Sequence, residues 1–175
     1  EFDRNVPRSL QKAILEDLEF LYQVRTRDSS PLHKEIFGAA DGSVYKEFIE
    51  SRVKYVGLND CGGIGAVACT FPFIEEHKIY LTPDYVKYSS KRAERLNTII
   101  HEARHLEYGF GWPHEVCPTP FLDELGYDII GSISGQKLEG KEGCDWSVYG
   151  PYGIVSILFN NLAKFLFLSS GSFKK

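Results

Sequence analysis

Two histidines that are four residues apart are the strongest chemical signal in the chain. His101 and His105 enclose Glu102 in the segment His-Glu-Ala-Arg-His. If this segment is helical, the two imidazoles lie on nearly the same face and can bind one metal ion. The Glu102 side chain leaves the helix about 100° round from His101, toward a water molecule on that ion and not toward the ion itself. The spacing therefore predicts a Zn²⁺ site with Glu102 as the general base.

The chemistry of a catalytic zinc explains why these residue types belong together. A zinc ion with three protein ligands and one water lowers the pKa of that water to about 7, and a neighbouring carboxylate takes the proton as hydroxide attacks a carbonyl carbon. The alternative interpretation is a surface cluster held by ion pairs between helical neighbours, such as Arg104 with Glu107. Ile99 and Ile100, just before the motif, favour a buried helix and hence the metal site.

A catalytic zinc needs a third protein ligand, and three residues are candidates. His114 is the first choice, because it lies nine residues after His105 beyond glycines and a proline that can turn the chain back. Glu124 is the alternative, on a predicted second helix. Cys117 is the third candidate, since a thiolate binds zinc well, unless a disulfide to Cys144 removes it.

The His-Glu-x-x-His segment resembles the active-site helix of the zincin metallopeptidases. This resemblance implies a zinc-dependent endopeptidase fold in which a peptide or protein substrate lies along an edge strand, near residues 66–70 or 78–82, and binds by strand addition. In thermolysin-like gluzincins, a glutamate on the next helix completes the site and an aspartate four residues later orients a histidine. Glu124 and Asp128 have this spacing, although Asp123 stands where those enzymes usually have asparagine.

Other positions match the zincins less closely. The metzincin pattern places glycine three residues and histidine six residues after the second histidine, where this chain has Tyr108 and Gly111. Tyr149 and Tyr152 lie in a loop before the last predicted helix, and either can donate to a developing oxyanion, as a tyrosine does in several zincins. The alternative for this loop is a turn with aromatic packing.

The four cysteines indicate an oxidising compartment. An even number of cysteines suits two disulfides, and we predict the pairs Cys61–Cys69 and Cys117–Cys144 in a secreted or periplasmic protein. The alternative is four buried thiols in a cytosolic protein. The chain contains no methionine, which indicates a processed or trimmed form.

Hydrophobic periodicity predicts the elements that must position these residues. We expect helices over residues 7–24, through Phe48 and Ile49, from Ser89 to about Gly109, over 121–133 and over 152–168, and strands near 53–56, 66–70 and 78–82. The result is an α+β fold: one zincin-like domain over residues 1–175, with a twisted sheet of about three or more strands, an active-site helix and flanking helices. His33 and His77 are predicted to be solvated loop residues.

Composition narrows the function classes. The 175 residues are 43% apolar and 25% charged, with a net charge of −4 and no long basic run, which argues against nucleic acid as the main partner. The terminal apolar segment is too short and too polar for a comfortable bilayer span, so we expect no membrane insertion. A binding module without hydrolytic activity, zincin-like or held by disulfides, is the alternative to a hydrolase. The presence of Glu102 favours the hydrolase.

Overall fold

The computed structural model describes residues 1–38, 42–63, 66–88, 91–107, 115–122, 126–131, 135–144 and 150–165. These residues form a mixed α+β structure of helices around a small sheet. The helices are α1 (Arg8–Gln23), α2 (Pro31–Phe37), α3 (Gly42–Arg52), α4 (Pro83–Tyr88), α5 (Arg92–His105) and α6 (Pro151–Phe165). The strands are β1 (Tyr55–Leu58), β2 (Ala68–Thr70), β3 (Lys78–Leu81), β4 (Glu115–Val116) and β5 (Glu142–Cys144).

The three strands predicted from β-favouring runs form one sheet, as expected. Its order is β1-β3-β2, with β1 parallel and β2 antiparallel to β3. The substrate was predicted to lie along an edge strand near residues 66–70 or 78–82. Since β3 is the central strand, the second of these alternatives is wrong. The first, β2, pairs with β3 on one side, and no strand within the described residues pairs with its other side.

The Cys61–Cys69 disulfide ties the edge strand to the preceding turn. The two Cα atoms are 6.0 Å apart, and Cys61 lies in a short 3-10 turn, Cys61–Gly63. This pairing confirms the first of the two predicted disulfides. It fixes β2 from the side of the sheet that faces away from α5.

One face of the sheet packs on the long helices. Ile79 and Leu81 of β3 are fully buried beside Ile99 of α5 and Ile154 of α6. Each such side chain contributes about 1.5–3 kcal/mol to folding through burial. The helices predicted for α1, α3, α5 and α6 are confirmed within one to a few residues at the described ends. No described helix is long and apolar enough to cross a membrane.

The helix α2 was not predicted and changes the position of His33. Ser30 caps α2, because its side chain accepts a hydrogen bond from the His33 backbone N–H at 3.2 Å. His33 is fully buried, and its Nε2 lies 2.6 Å from the Tyr45 hydroxyl oxygen. The prediction of a solvated loop position is therefore wrong for His33. It is correct for His77, which is exposed in a turn.

The helix predicted over 121–133 is wrong at its described residues, 121–122 and 126–131. These residues are extended, with isolated bridges from Leu122 to Asp128 and from Ile130 to Lys137. Gly126 has a φ of +81°, a left-handed conformation that interrupts a helix. The apolar side chains form a separate small cluster consisting of Cys117, Phe121, Ile129 and Leu138.

Candidate metal and catalytic site

The helix α5 carries the central motif on a well-anchored turn. At its start, the Lys91 backbone N–H donates to the Glu94 carboxylate at 3.0 Å, which satisfies a donor that the helix leaves open. Leu96, Ile99 and Ala103 then bury one face of α5 in the core. The last turn of the helix is thereby held in place, and this turn carries the two histidines.

The imidazoles of His101 and His105 converge. Their Nε2 atoms are 3.1 Å apart, and the rings meet edge to face with centroids 4.8 Å apart. Two nitrogen ligands of a tetrahedral zinc, at about 2.0–2.1 Å from the ion, are about 3.3 Å apart. The pair therefore fits two ligand positions of one zinc ion, which would be held from the same helical face.

Glu102 lies beside this pair in a buried position. Only 6% of its surface is exposed, as for His101, and burial alone raises the pKa of its carboxyl group to about 8. The positive charge of a metal ion on the neighbouring histidines would lower this pKa again and favour the carboxylate, which is the form that accepts a proton. A buried acid next in sequence to one of two converging imidazoles is typical of a functional site. The alternative prediction of a solvated surface cluster is wrong for these residues, although its ion pair between Arg104 and Glu107 is present.

Tyr152 reaches the same site from another element. It lies in the first turn of α6, and its ring centroid is 4.4 Å from that of His101 in an edge-to-face contact. The side chain is 37% exposed, so one part packs on the imidazole while another part faces solvent. Of the two tyrosines that the sequence indicated, Tyr152 is at the histidine pair, and Tyr149 lies outside the described residues.

An ion-pair network fixes the end of α5 and was only half predicted. Glu107 pairs with Arg104, as the sequence spacing indicated, and also with Arg52 of α3, whose guanidinium nitrogen is 3.1 Å from the Glu107 carboxylate. Arg52 stacks over Phe48, with 4.0 Å from its guanidinium carbon to the ring centroid. Since 55 positions separate Arg52 from Glu107, no local pattern in the sequence could have shown this contact.

Two of the three candidate third ligands lie outside the part of the chain that the structure describes. His114 and Glu124 both lie outside the described residues, so each stays a prediction. The helix that supported Glu124 is absent at the described residues on either side, and Asp128 pairs with Lys137 at 2.8 Å. The gluzincin-like spacing of Glu124 and Asp128 has therefore lost its helical basis.

Cys117 is a poor candidate ligand in this structure. It is buried in the small cluster, and no cysteine among the described side chains carries a free thiol. Its predicted pairing with Cys144 stays a prediction, because the Cys144 side chain lies outside the described part. Among the described residues, no group of three histidine, cysteine or acidic side chains is arranged to hold a metal ion.

Comparison of the chain with family models, with curated proteins and with solved structures gave no match. The functional interpretation therefore rests on the residues of the site and their geometry.

Proposed function

We propose that this chain is a zinc-dependent peptidase in which His101 and His105 hold the metal ion and Glu102 is the general base. The observation that carries the proposal is the 3.1 Å approach of the two Nε2 atoms on the same helix as the buried side chain of Glu102. A purely structural zinc site has no use for such an acid. The third ligand is proposed to be His114, with Glu124 as the alternative.

The residues of α5 and α6 have separate roles in the proposed hydrolysis. A zinc ion bound here would supply the Lewis acidity that makes a water acidic near neutral pH and polarises the scissile carbonyl. Glu102 accepts the proton of the attacking water and passes it to the departing amine. The Tyr152 hydroxyl donates a hydrogen bond to the carbonyl oxygen as negative charge develops on it.

The rest of the fold supports a proposal for the substrate and for the compartment. We propose that a peptide or protein substrate lies along β2, the edge strand of the described sheet, and binds through backbone hydrogen bonds. The Cys61–Cys69 disulfide supports a secreted or periplasmic location, because such bonds persist in oxidising compartments.

Metal analysis of the purified protein tests the proposed site. We expect about one equivalent of zinc in the parent and a large loss in His101→Ala and His105→Ala, with a lower unfolding temperature because metal binding stabilises only the native state. His77→Ala is the matched control, since His77 is exposed in a turn. Full zinc content at parental affinity in either α5 variant would show that the site is wrongly assigned.

Measurement of zinc affinity in two further variants separates the candidate third ligands. We expect His114→Ala to weaken zinc binding by orders of magnitude and Glu124→Ala to behave as a surface or loop change. The reverse order would assign the third position to Glu124.

A further inference from the structure

Large apolar side chains are exposed along and beyond the edge strand β2. Val67 is 42% exposed, Phe71 38%, Phe73 75% and Ile74 80%. All four fall within eight consecutive residues. Such a concentration of exposed apolar surface marks an interaction site more often than scattered apolar residues do.

The alternation of the edge strand places part of this surface on one face of the sheet. Ala68 is buried in the core with the helices, so its neighbours along β2 face the other way. Phe71 lies on that open face, where its ring centroid is 5.8 Å from that of Tyr80. Tyr80 is the register partner of Cys69 on β3. Val67 and Phe71 are therefore exposed on this face beside the edge, one on each side of the Cys61–Cys69 disulfide.

A series of contacts connects the end of β2 that leads to Phe71 with the end of α5 that carries the histidine pair. Thr70 pairs with Ile79 near the start of β3. His77, just before β3, has its Nδ1 3.0 Å from the backbone oxygen of Arg52. Arg52 in turn pairs with Glu107 at 3.1 Å, two residues beyond the end of α5.

We propose that Val67 and Phe71 dock an extended polypeptide that carries large apolar side chains at alternate positions. A segment that adds to the free edge of β2 directs every second side chain to the open face, where Val67 and Phe71 lie on either side of Cys69. This proposal rests on the proposed peptidase function, because the docked polypeptide would be the substrate of that reaction. The expected substrates are peptides with an alternating apolar pattern.

The surrounding charges favour a polypeptide over a lipid surface. Glu75 and Glu76 follow the exposed residues directly. Segments that lie on membranes carry lysine and arginine beside their apolar residues, because these attract the headgroups. Lys78, the nearest lysine after these residues, is paired with Glu75 and Asp3, and the open backbone edge of β2 is suited to a strand of polypeptide.

Peptide binding to the Glu102→Gln protein tests the docking surface without cleavage. The probes are a fluorescent peptide with leucine at alternate positions and the same peptide with alanine there. We expect the leucine peptide to bind at least tenfold more tightly, and Val67→Ser and Phe71→Ser to remove most of this preference. Leu15→Ser is the matched control, since Leu15 is 56% exposed on α1. Thermal unfolding verifies that each variant folds.

Several results would overturn the docking proposal. Equal affinity for the two peptides, or a preference that both serine variants retain, would remove the role of Val67 and Phe71. Binding to zwitterionic phosphatidylcholine vesicles that Phe73→Ser abolishes, without peptide preference, would assign the surface to lipid. Self-association that Phe71→Ser abolishes, without peptide preference, would assign it to a second copy of the chain.

The outcome for the docking surface is separable from that for hydrolysis. If Glu102→Gln prefers the leucine peptide but the zinc-loaded parent cleaves neither peptide, the docking surface is supported and the peptidase function fails. If the parent cleaves both peptides equally well and Glu102→Gln shows no preference, hydrolysis stands and the docking proposal fails.

Discussion

At the residue scale, Tyr152 is expected to affect the chemical step and not the binding of zinc. The Tyr152 ring packs on the imidazole of His101, with 4.4 Å between the ring centroids, while its hydroxyl supplies the hydrogen bond proposed for the oxyanion. Removing one such donor costs about 100- to 1,000-fold in kcat. We therefore predict that Tyr152→Phe keeps zinc and substrate affinity but lowers kcat by about that factor.

Steady-state kinetics on a single peptide check this prediction. Tyr127→Phe is the control, because Tyr127 is a tyrosine exposed far more than Tyr152. A parental kcat in Tyr152→Phe would show that Tyr152 only packs on His101 and does not donate to the oxyanion.

His33 is a second residue whose environment sets a testable property. Burial lowers its pKa to about 4 in the folded protein, against about 6.5 in an unfolded chain. Between these values the unfolded state binds a proton that the native state does not, so stability is full above about pH 6.5 and falls as the pH drops toward 4. We predict that this difference costs about 2 kcal/mol on going from pH 7 to pH 5.

Urea unfolding of the parent and of His33→Gln at both pH values measures this cost. The variant should lose less free energy of unfolding between pH 7 and pH 5, by about 2 kcal/mol, because it has no imidazole to protonate. The comparison cancels the contributions of other titrating groups. An identical pH dependence in both proteins would contradict the assignment to His33.

At the scale of elements, a buried ion cluster holds α1 against α5. Asp17 is 1% exposed and accepts hydrogen bonds from Arg92 at 3.0 Å and from two nitrogens of Arg95. Asp17→Asn leaves Arg95, whose side chain is 15% exposed, without its counter-charge, whereas Arg92 is 47% exposed and solvent screens it. Breaking a buried pair costs about 3–5 kcal/mol, and we take the lower end for this single largely buried arginine. We predict a loss of this size in the free energy of unfolding. A loss below about 1 kcal/mol would contradict the structural role of the cluster.

Glu16→Gln provides the matched control for this element. Glu16 neighbours Asp17 on α1, but its ion pair with Lys12, at 3.7 Å, is exposed to solvent. Exposed pairs contribute about 0–1 kcal/mol. Chemical denaturation of the two variants separates the buried cluster from a general effect of charge.

The sequence predicted elements where hydrophobic periodicity extends over several turns or where β-favouring residues form short runs bounded by glycine and proline. This holds for α1, α5, α6 and the three strands of the sheet. The helices α2 and α4 have seven and six residues, which is too short for a periodic signal. The apolar run over residues 121–133 gave a wrong helix, because a short run does not distinguish a buried helix from an extended segment, and here Phe121 and Ile129 pack in a cluster of their own.

At the scale of the whole molecule, the predictable part of the site is the part that one helix supplies. The geometry of His101, Glu102 and His105 follows from helical spacing alone, so the sequence was sufficient. The contact of His101 with Tyr152 and the pairing of Arg52 with Glu107 depend on how α3 and α6 pack on α5. Such tertiary contacts leave no local pattern, and the burial of His33 of α2 against Tyr45 of α3 was missed for the same reason.

The most direct test of the proposed function compares the parent with Glu102→Gln. A digest of unfolded protein substrate by zinc-loaded enzyme is followed by mass spectrometry, with zinc content measured on the same samples. Glutamine keeps the shape of the side chain but cannot accept the proton. We predict that Glu102→Gln folds normally, holds as much zinc as the parent and cleaves about 100- to 10,000-fold more slowly. Equal cleavage rates, or zinc binding by both proteins with cleavage by neither, would contradict a zinc peptidase that works through Glu102.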